Sequence, residues 1–212
     1  RINRAGDDAA GLAISENLRA QIRGLKQASR NAQDGISLVQ VAEGSMNEIS
    51  SILIRLRELA VQAASDTVGP TERQFLNVEY DQLTSEIDRI AEGTEFNGTQ
   101  LLAGVGAILD FQVGTRNNPE IDRISFDASK ADANSAALGV NLTSVADKAS
   151  AQNALAAIDT AIVSVSAMRA DFGAIQNRLT STISNIQVSV ENMSAANSRI
   201  KDVDVAEETS EM

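Results

Sequence analysis

Between Glu48 and Leu102, apolar side chains recur at Ile49, Leu53, Leu56, Ala60 and Ala63, the four-three-four-three spacing of a narrow coiled-coil seam. Upstream, the same helical spacing runs from about Ala9 through Leu18, Ile22, Leu25, Ala32, Ile36 and Val39 to Ala42 and Met46. Gly35 and Gly44 each weaken that helix by about 1 kcal/mol relative to alanine, and the register slips between Val39 and Ala42. The pattern still predicts one long helix ending near Ala64. Ser65–Pro70 breaks it. Thr71, three residues before Gln74, reads as a capping box opening a second helix, with Leu76, Tyr80, Leu83, Ile87 and Ile90 on its seam and Gly93 at its end. Asn97-Gly98 marks a tight turn.

The period then drops to two. Leu109, Phe111 and Val113 alternate with polar residues, as do Ile124 and Phe126, and the intervening GTRNNPE supplies a loop, so a β-hairpin is predicted. Asp127–Lys148, rich in Ala, Ser and Asn, reads as irregular, with a helical turn near Asn134–Leu138. From about Ser150, apolar residues from Leu155 to Ile200 follow threes and fours in a third long helix. The expected fold is mainly α: an elongated bundle of three long helices with heptad-like seams and a small β-hairpin region. Residues 1–95 form its two-helix N-terminal part, 96–149 the hairpin and irregular connection, and 150–212 the C-terminal helix completing the same core. Antiparallel first and third helices would bring Arg1 and Met212 to one end.

Composition sharpens this picture. Aromatic residues are only 3% of the 212, which suits long helices packed closely rather than a globular core built on rings. The net charge of −11 argues against nucleic acid as a partner. It is uneven: positions 1–30 carry six basic residues against three acids, while positions 200–212 carry Lys201 against five acids. No cysteine is present, no apolar run reaches membrane-spanning length, and both ends look cut from continuing helix, so a fragment is expected.

Catalytic chemistry finds no footing. Without His or Cys, the chain lacks the commonest general base, the commonest metal ligand and the thiol nucleophile. Neither a G-x-S-x-G nor a phosphate-cradling glycine loop occurs. Asp7-Asp8 reads as a solvated helix start and Glu207-Glu208 as an acidic end. Asp202-Val203-Asp204 lacks the glycine and downstream Glu of a calcium loop. No enzymatic activity, cofactor or metal is expected. What remains is surface. On a helical wheel, Leu59 lies about 80° and Arg55 about 120° from the seam centre. Leu59, flanked by Arg55 and Gln62, reads as a half-exposed apolar residue: a seam-edge leucine covering the second helix, or a recognition anchor. The pattern alone does not separate the two.

The strings themselves carry a resemblance. RINRAGDDAAGLAISENLRAQIRGLKQASRNAQDGISLVQVAEGSMNEI, RLRELAVQAAS, EIDRIAEGTEFNGTQLL, FQVG and ADFGAIQNRLTSTISNIQVSVENMSAANSRIKDVDVAEETSEM, in that order, resemble bacterial flagellins over nearly the whole chain. The resemblance implies an extracellular filament subunit of the bacterial flagellum, exported without a cleaved signal and partnered by other subunits and by the export and chaperone machinery. It also implies that most of the terminal helices forming the filament's inner tube are missing, and that 96–149 stands where other flagellins carry a variable outer domain. Such a fragment is expected to be monomeric or weakly associated. Many flagellins are recognised by Toll-like receptor 5, and the family's receptor motif matches here at Arg55, Arg57, Glu58, Leu59, Ala60, Val61 and Gln62, with Glu79 on the second helix and Arg178 on the third. Ile54 and Asp66 depart from the usual Gln and Asn. A hook–filament junction protein with related terminal helices, or a coiled-coil interaction module without a filament role, are the alternatives.

Overall fold

The computed structural model describes residues 8–201. The long first helix, α1, runs unbroken over Ala9–Ala63. Asp8 starts it, its Oδ1 accepting from the Ala10 and Gly11 amides at 3.0 Å each, which satisfies two of the donors a helix N-terminus leaves open. Asp7 lies outside the described residues.

The second helix, α2, spans Pro70–Gly93. The expected capping box is not what opens it. Gly69 is the N-cap, with no side-chain cap bond, and its carbonyl accepts from the Arg73 amide at 3.0 Å. Pro70 at the first helical position has a fixed φ and no amide to satisfy, so the helix starts one residue early and Thr71 falls inside it. Arg73 joins the break to α1, donating to the carbonyls of Ala63 and Ser65 at 2.8 Å each. At its end Thr94 caps α2 twice, through its amide at 3.0 Å and its hydroxyl at 2.6 Å, both to the Ile90 carbonyl.

Strands β1 (Glu95–Phe96) and β2 (Thr99–Gln100) form an antiparallel hairpin around the Asn97-Gly98 turn. Both turn residues have positive φ, 50° and 76°, the left-handed geometry that two-residue hairpins demand. Strands β3 (Ile108–Gln112) and β4 (Arg123–Asp127) make the second two-stranded sheet. Their connection holds a four-residue helix, α3 (Pro119–Asp122), capped by Asn118, whose Oδ1 accepts from the Glu120 amide at 3.1 Å. The stretch predicted as a plain loop therefore contains one turn of helix, set by the Asn-Pro pair.

The last helix, α4, covers Lys148–Lys201. It begins two residues before the predicted start because Asp147 caps it. The Ser150 amide donates to Asp147 Oδ1 at 2.9 Å, and the Ser150 hydroxyl to Oδ2 at 2.7 Å. The amide bond holds the Asp147 carboxyl below the usual carboxylate range.

Two units emerge. The first gathers the chain up to Ile36, Asp110–Ile124 and the part from Asn177 onward; the second gathers Ser37–Leu109 and Ser125–Gln176. Within the first, α1 and α4 run antiparallel. Ser15 Oγ donates to Asn197 Oδ1 at 2.7 Å, and farther along α1 Gly35 packs so tightly that a Cβ on it would lie 3.2 Å from Leu179 and 3.0 Å from the Phe111 ring. Arg1 and Met212, expected at one end, lie outside the described residues.

The second unit holds the better-closed core. Met46, Ile49, Leu53, Leu56 and Ala60 of α1, Tyr80 and Ile87 of α2, and Ile158, Ala161 and Val165 of α4 are completely buried. Phe126 of β4 packs on Phe172 of α4 with ring centroids 5.5 Å apart. The irregular segment 128–147 is held along α2 by side chains that take the place of a backbone ladder. Asn77 Oδ1 accepts from the Ser144 hydroxyl (2.8 Å) and Val145 amide (2.9 Å), the Tyr80 and Thr143 hydroxyls bond at 2.6 Å, and Asp88 accepts from the Ser135 amide and hydroxyl at 2.7 and 2.8 Å. The predicted turn near Asn134–Leu138 is present, closed by the Leu138 amide on the Asn134 carbonyl at 2.9 Å.

Candidate functional site

Within the second unit, α1 carries two neighbours, and this sets which of its residues face outward. Buried positions from Met46 to Ala63 sweep an arc of about 140° at about 100° per residue, wider than a two-helix seam. Leu59 falls on the edge of that arc and is fully buried. The half exposure expected of it is therefore corrected: a helix packed on two sides buries the residue that a single seam would leave at the rim. Leu59 supports the outer surface from beneath.

That surface is a stripe through Ile54, Glu58, Val61 and Gln62, all exposed, with an arginine on each flank. Arg55, on the α2 side, is clamped across helices. Its Nη2 lies 2.7 Å from Glu79 Oε1 and its Nε donates to the same oxygen at 2.9 Å, while Nη1 reaches Glu58 Oε2 at 3.0 Å. These bonds, Glu79 first, raise the Arg55 guanidinium above its ordinary value. Arg57, on the α4 side, donates from Nε to Asp159 Oδ1 at 2.7 Å, which raises it likewise. Each pair is about half exposed, so little stability comes from it. What the pairs do is fix two long side chains in one geometry, a preorganisation that reduces the ordering cost of a later contact. Between the arginines, Ile54 and Val61 are 51% and 50% exposed, an apolar centre with charged edges.

The structure thus brings together Arg55, Arg57, Glu58, Gln62 and Glu79 on one unit. Arg178 belongs to the other, exposed on α4 beside a shallow groove lined with Glu120, Ile121 and Arg123. Sequence reasoning missed Asp159. Its signal was available: it follows the core residue Ile158 directly, as Arg57 follows Leu56, the flanking arrangement by which packed helices pair charges. No group of His, Cys, Asp or Glu suited to hold a metal occurs among the described residues. No described helix is long and apolar enough to cross a membrane.

The bacterial flagellin N-terminal helical region matches residues 1–107, and the flagellin C-terminal helical region matches 155–212. The chain belongs to the bacterial flagellin family. It is 50% identical over 211 residues to a flagellin of Halalkalibacterium halodurans, covering 100% of this chain and 76% of that one. It is 46% identical over 242 residues to a flagellin of Bacillus subtilis, covering 100% and 79%. The crystal structure of Bacillus cereus flagellin superposes with a TM-score of 0.66 at 35% identity, over 79% of this chain and 94% of that one. This flagellin is accordingly a structural protein of the extracellular filament, and its partners there are other flagellin subunits.

Proposed function

We propose that the stripe of this filament subunit bearing Arg55, Arg57, Glu58 and Gln62, with Glu79 beside it, is recognised by Toll-like receptor 5, and that filament assembly covers the same face. The observation that carries the reading is the cross-helix clamp of Arg55 on Glu79 and Glu58, which joins α1 and α2 into one preformed surface around exposed Ile54 and Val61. An arginine and apolar side chains held rigid and half-solvated are the groups that anchor protein interfaces. Leu59 enters as a support rather than a contact, and Arg178 as a separate contact supplied by the first unit. Export through the flagellar channel with chaperone assistance, and the role of 96–149 in place of a variable outer domain, belong to the same reading.

Titration of the receptor ectodomain with Arg55→Ala and Gln62→Ala tests it. Both side chains are exposed, so the fold persists and circular dichroism should be unchanged. The expected result is at least about a tenfold weaker Kd for Arg55→Ala, the 1.4 kcal/mol typical of an interface residue that matters. Wild-type affinity in both variants sinks the reading.

A further inference from the structure

The turn between β1 and β2 holds Asn97-Gly98, the single Asn-Gly pair of the chain. In such a pair the glycine nitrogen is free to attack the asparagine carboxamide, because no side chain on the glycine shields it. The Gly98 nitrogen bonds to Asn97 Cγ, its proton passes through solvent to the carboxamide nitrogen, and that nitrogen leaves as ammonia. A five-membered succinimide results. Water then opens the ring at either carbonyl. One product is aspartate. The other is isoaspartate, whose main chain runs through the former side chain and is longer by one carbon. The sum of the steps consumes water, releases ammonia and changes no oxidation state.

Both residues are exposed, and a Cβ built on Gly98 would meet nothing within 4 Å, so no neighbour obstructs the ring or the water. The turn itself keeps the reacting atoms apart. Asn97 has φ 50° and Gly98 76°, and the left-handed region sets ψ at about 47°. Ring closure requires the Gly98 nitrogen to eclipse Cβ about the Asn97 Cα–C bond; at that ψ it lies nearly opposite. Asn97 therefore has to leave the turn conformation before it reacts. Little opposes this. Each strand is two residues long, with Glu95 paired to Gln100 and Phe96 to Thr99, and so short a hairpin is marginal in water. The firmer tethers lie after the turn: the Gln100 side chain donates to the Glu92 carbonyl at 2.9 Å, the Leu101 amide to the Thr94 carbonyl at 3.0 Å, and Leu101 and Leu102 are buried. The turn opens locally while these hold.

We propose that Asn97 is a modification site gated by this hairpin, hydrolysed to aspartate and isoaspartate in proportion to the time the turn spends open. Folded chains are protected, and chains held open are marked. Refolding does not erase the mark. The additional main-chain carbon of isoaspartate does not fit a two-residue turn, and either product adds a negative charge beside exposed Glu95. The site shares no residue with the stripe on α1 and α2, so it stands independently of the receptor reading.

Mass spectrometry of the tryptic peptide 90–116 tests this. Asn97 is its only asparagine, and fragment ions place the mass gain of an amide-to-acid exchange on that residue. The full chain is incubated folded, and unfolded in guanidinium chloride, at one temperature and mildly alkaline pH. The gain should be at least about tenfold slower in the folded chain, because the rate follows the open fraction. Isoaspartate, detected by methyl transfer from S-adenosylmethionine with an isoaspartyl methyltransferase, should form in both. Gly98→Ala slows ring closure in both states but strains the positive φ, so its folded-to-unfolded rate ratio should rise by about fivefold. Equal rates in the two states of the unsubstituted chain overturn the gate, as does an unchanged ratio in Gly98→Ala. No mass gain in the unfolded chain overturns the site, and aspartate without isoaspartate overturns the succinimide route.

Discussion

At the scale of single residues, neighbours on one helix turn have opposite jobs. Leu59 is fully buried and Arg55, four positions earlier, is exposed and clamped. Leu59→Ala is expected to cost about 2–5 kcal/mol through lost burial and the cavity left behind, read as a lower denaturation midpoint. Arg55→Ala should leave that midpoint nearly unchanged. A Leu59→Ala protein of wild-type stability would contradict the packing described. Tyr80 makes a second case. Burial pushes its phenol above the ordinary value, with the Thr143 hydroxyl opposing. A phenol whose folded pKa is raised adds stability that is complete below the unfolded value, about 10, and is lost as pH rises through the folded one. Tyr80→Phe should remove this alkaline sensitivity and cost about 1 kcal/mol at neutral pH for the hydrogen bond, measured by urea denaturation at pH 8 and above pH 10.

At the scale of elements, periodicity carried far and capping carried less. The seam positions placed α1 within a residue of its observed end, because each apolar residue in a long helix independently reports the same face. The starts of α2 and α4 were displaced, because a boundary depends on one or two residues and Pro70 and Asp147 outweighed Thr71 and Ser150. The segment 128–147 carried no periodic signal at all, since its order comes from Asn77, Tyr80 and Asp88 reaching across from α2. Of the outward stripe, the exposure of its α1 members was legible and the clamp was not: whether Arg55 meets Glu79 is a question of how two helices are set side by side, which spacing along one helix does not answer.

Four carboxyls at element ends and surfaces give this scale its pH behaviour. Lys148 lowers Asp66, Arg89 lowers Glu86, the Ser129 hydroxyl lowers Asp127, and the Ser150 amide lowers Asp147. With folded values below unfolded ones, their stabilisation is complete above about pH 4 and disappears as pH falls through the folded values. The chain has no histidine, so the thermal midpoint should be flat from about pH 6 to 8 and fall in acid. Asp147→Ala should lower the midpoint at neutral pH and flatten the acid limb; an unaltered acid limb would show that the α4 cap is not formed.

At the scale of the whole molecule, a flagellin's side surfaces are its working parts. In the proposed reading, the stripe through Arg55, Glu58 and Gln62 serves both assembly and receptor recognition. A surface cannot be occupied twice, so the two uses of the stripe exclude each other. One titration tests this directly: receptor ectodomain against the free chain, and against the same chain after incorporation onto flagellar filament fragments used as seeds, compared per mole of subunit. Saturable binding to the free chain that disappears on incorporation is the expected result. Equal binding per subunit in both forms would contradict a shared face, and no binding to the free chain would remove the receptor role altogether.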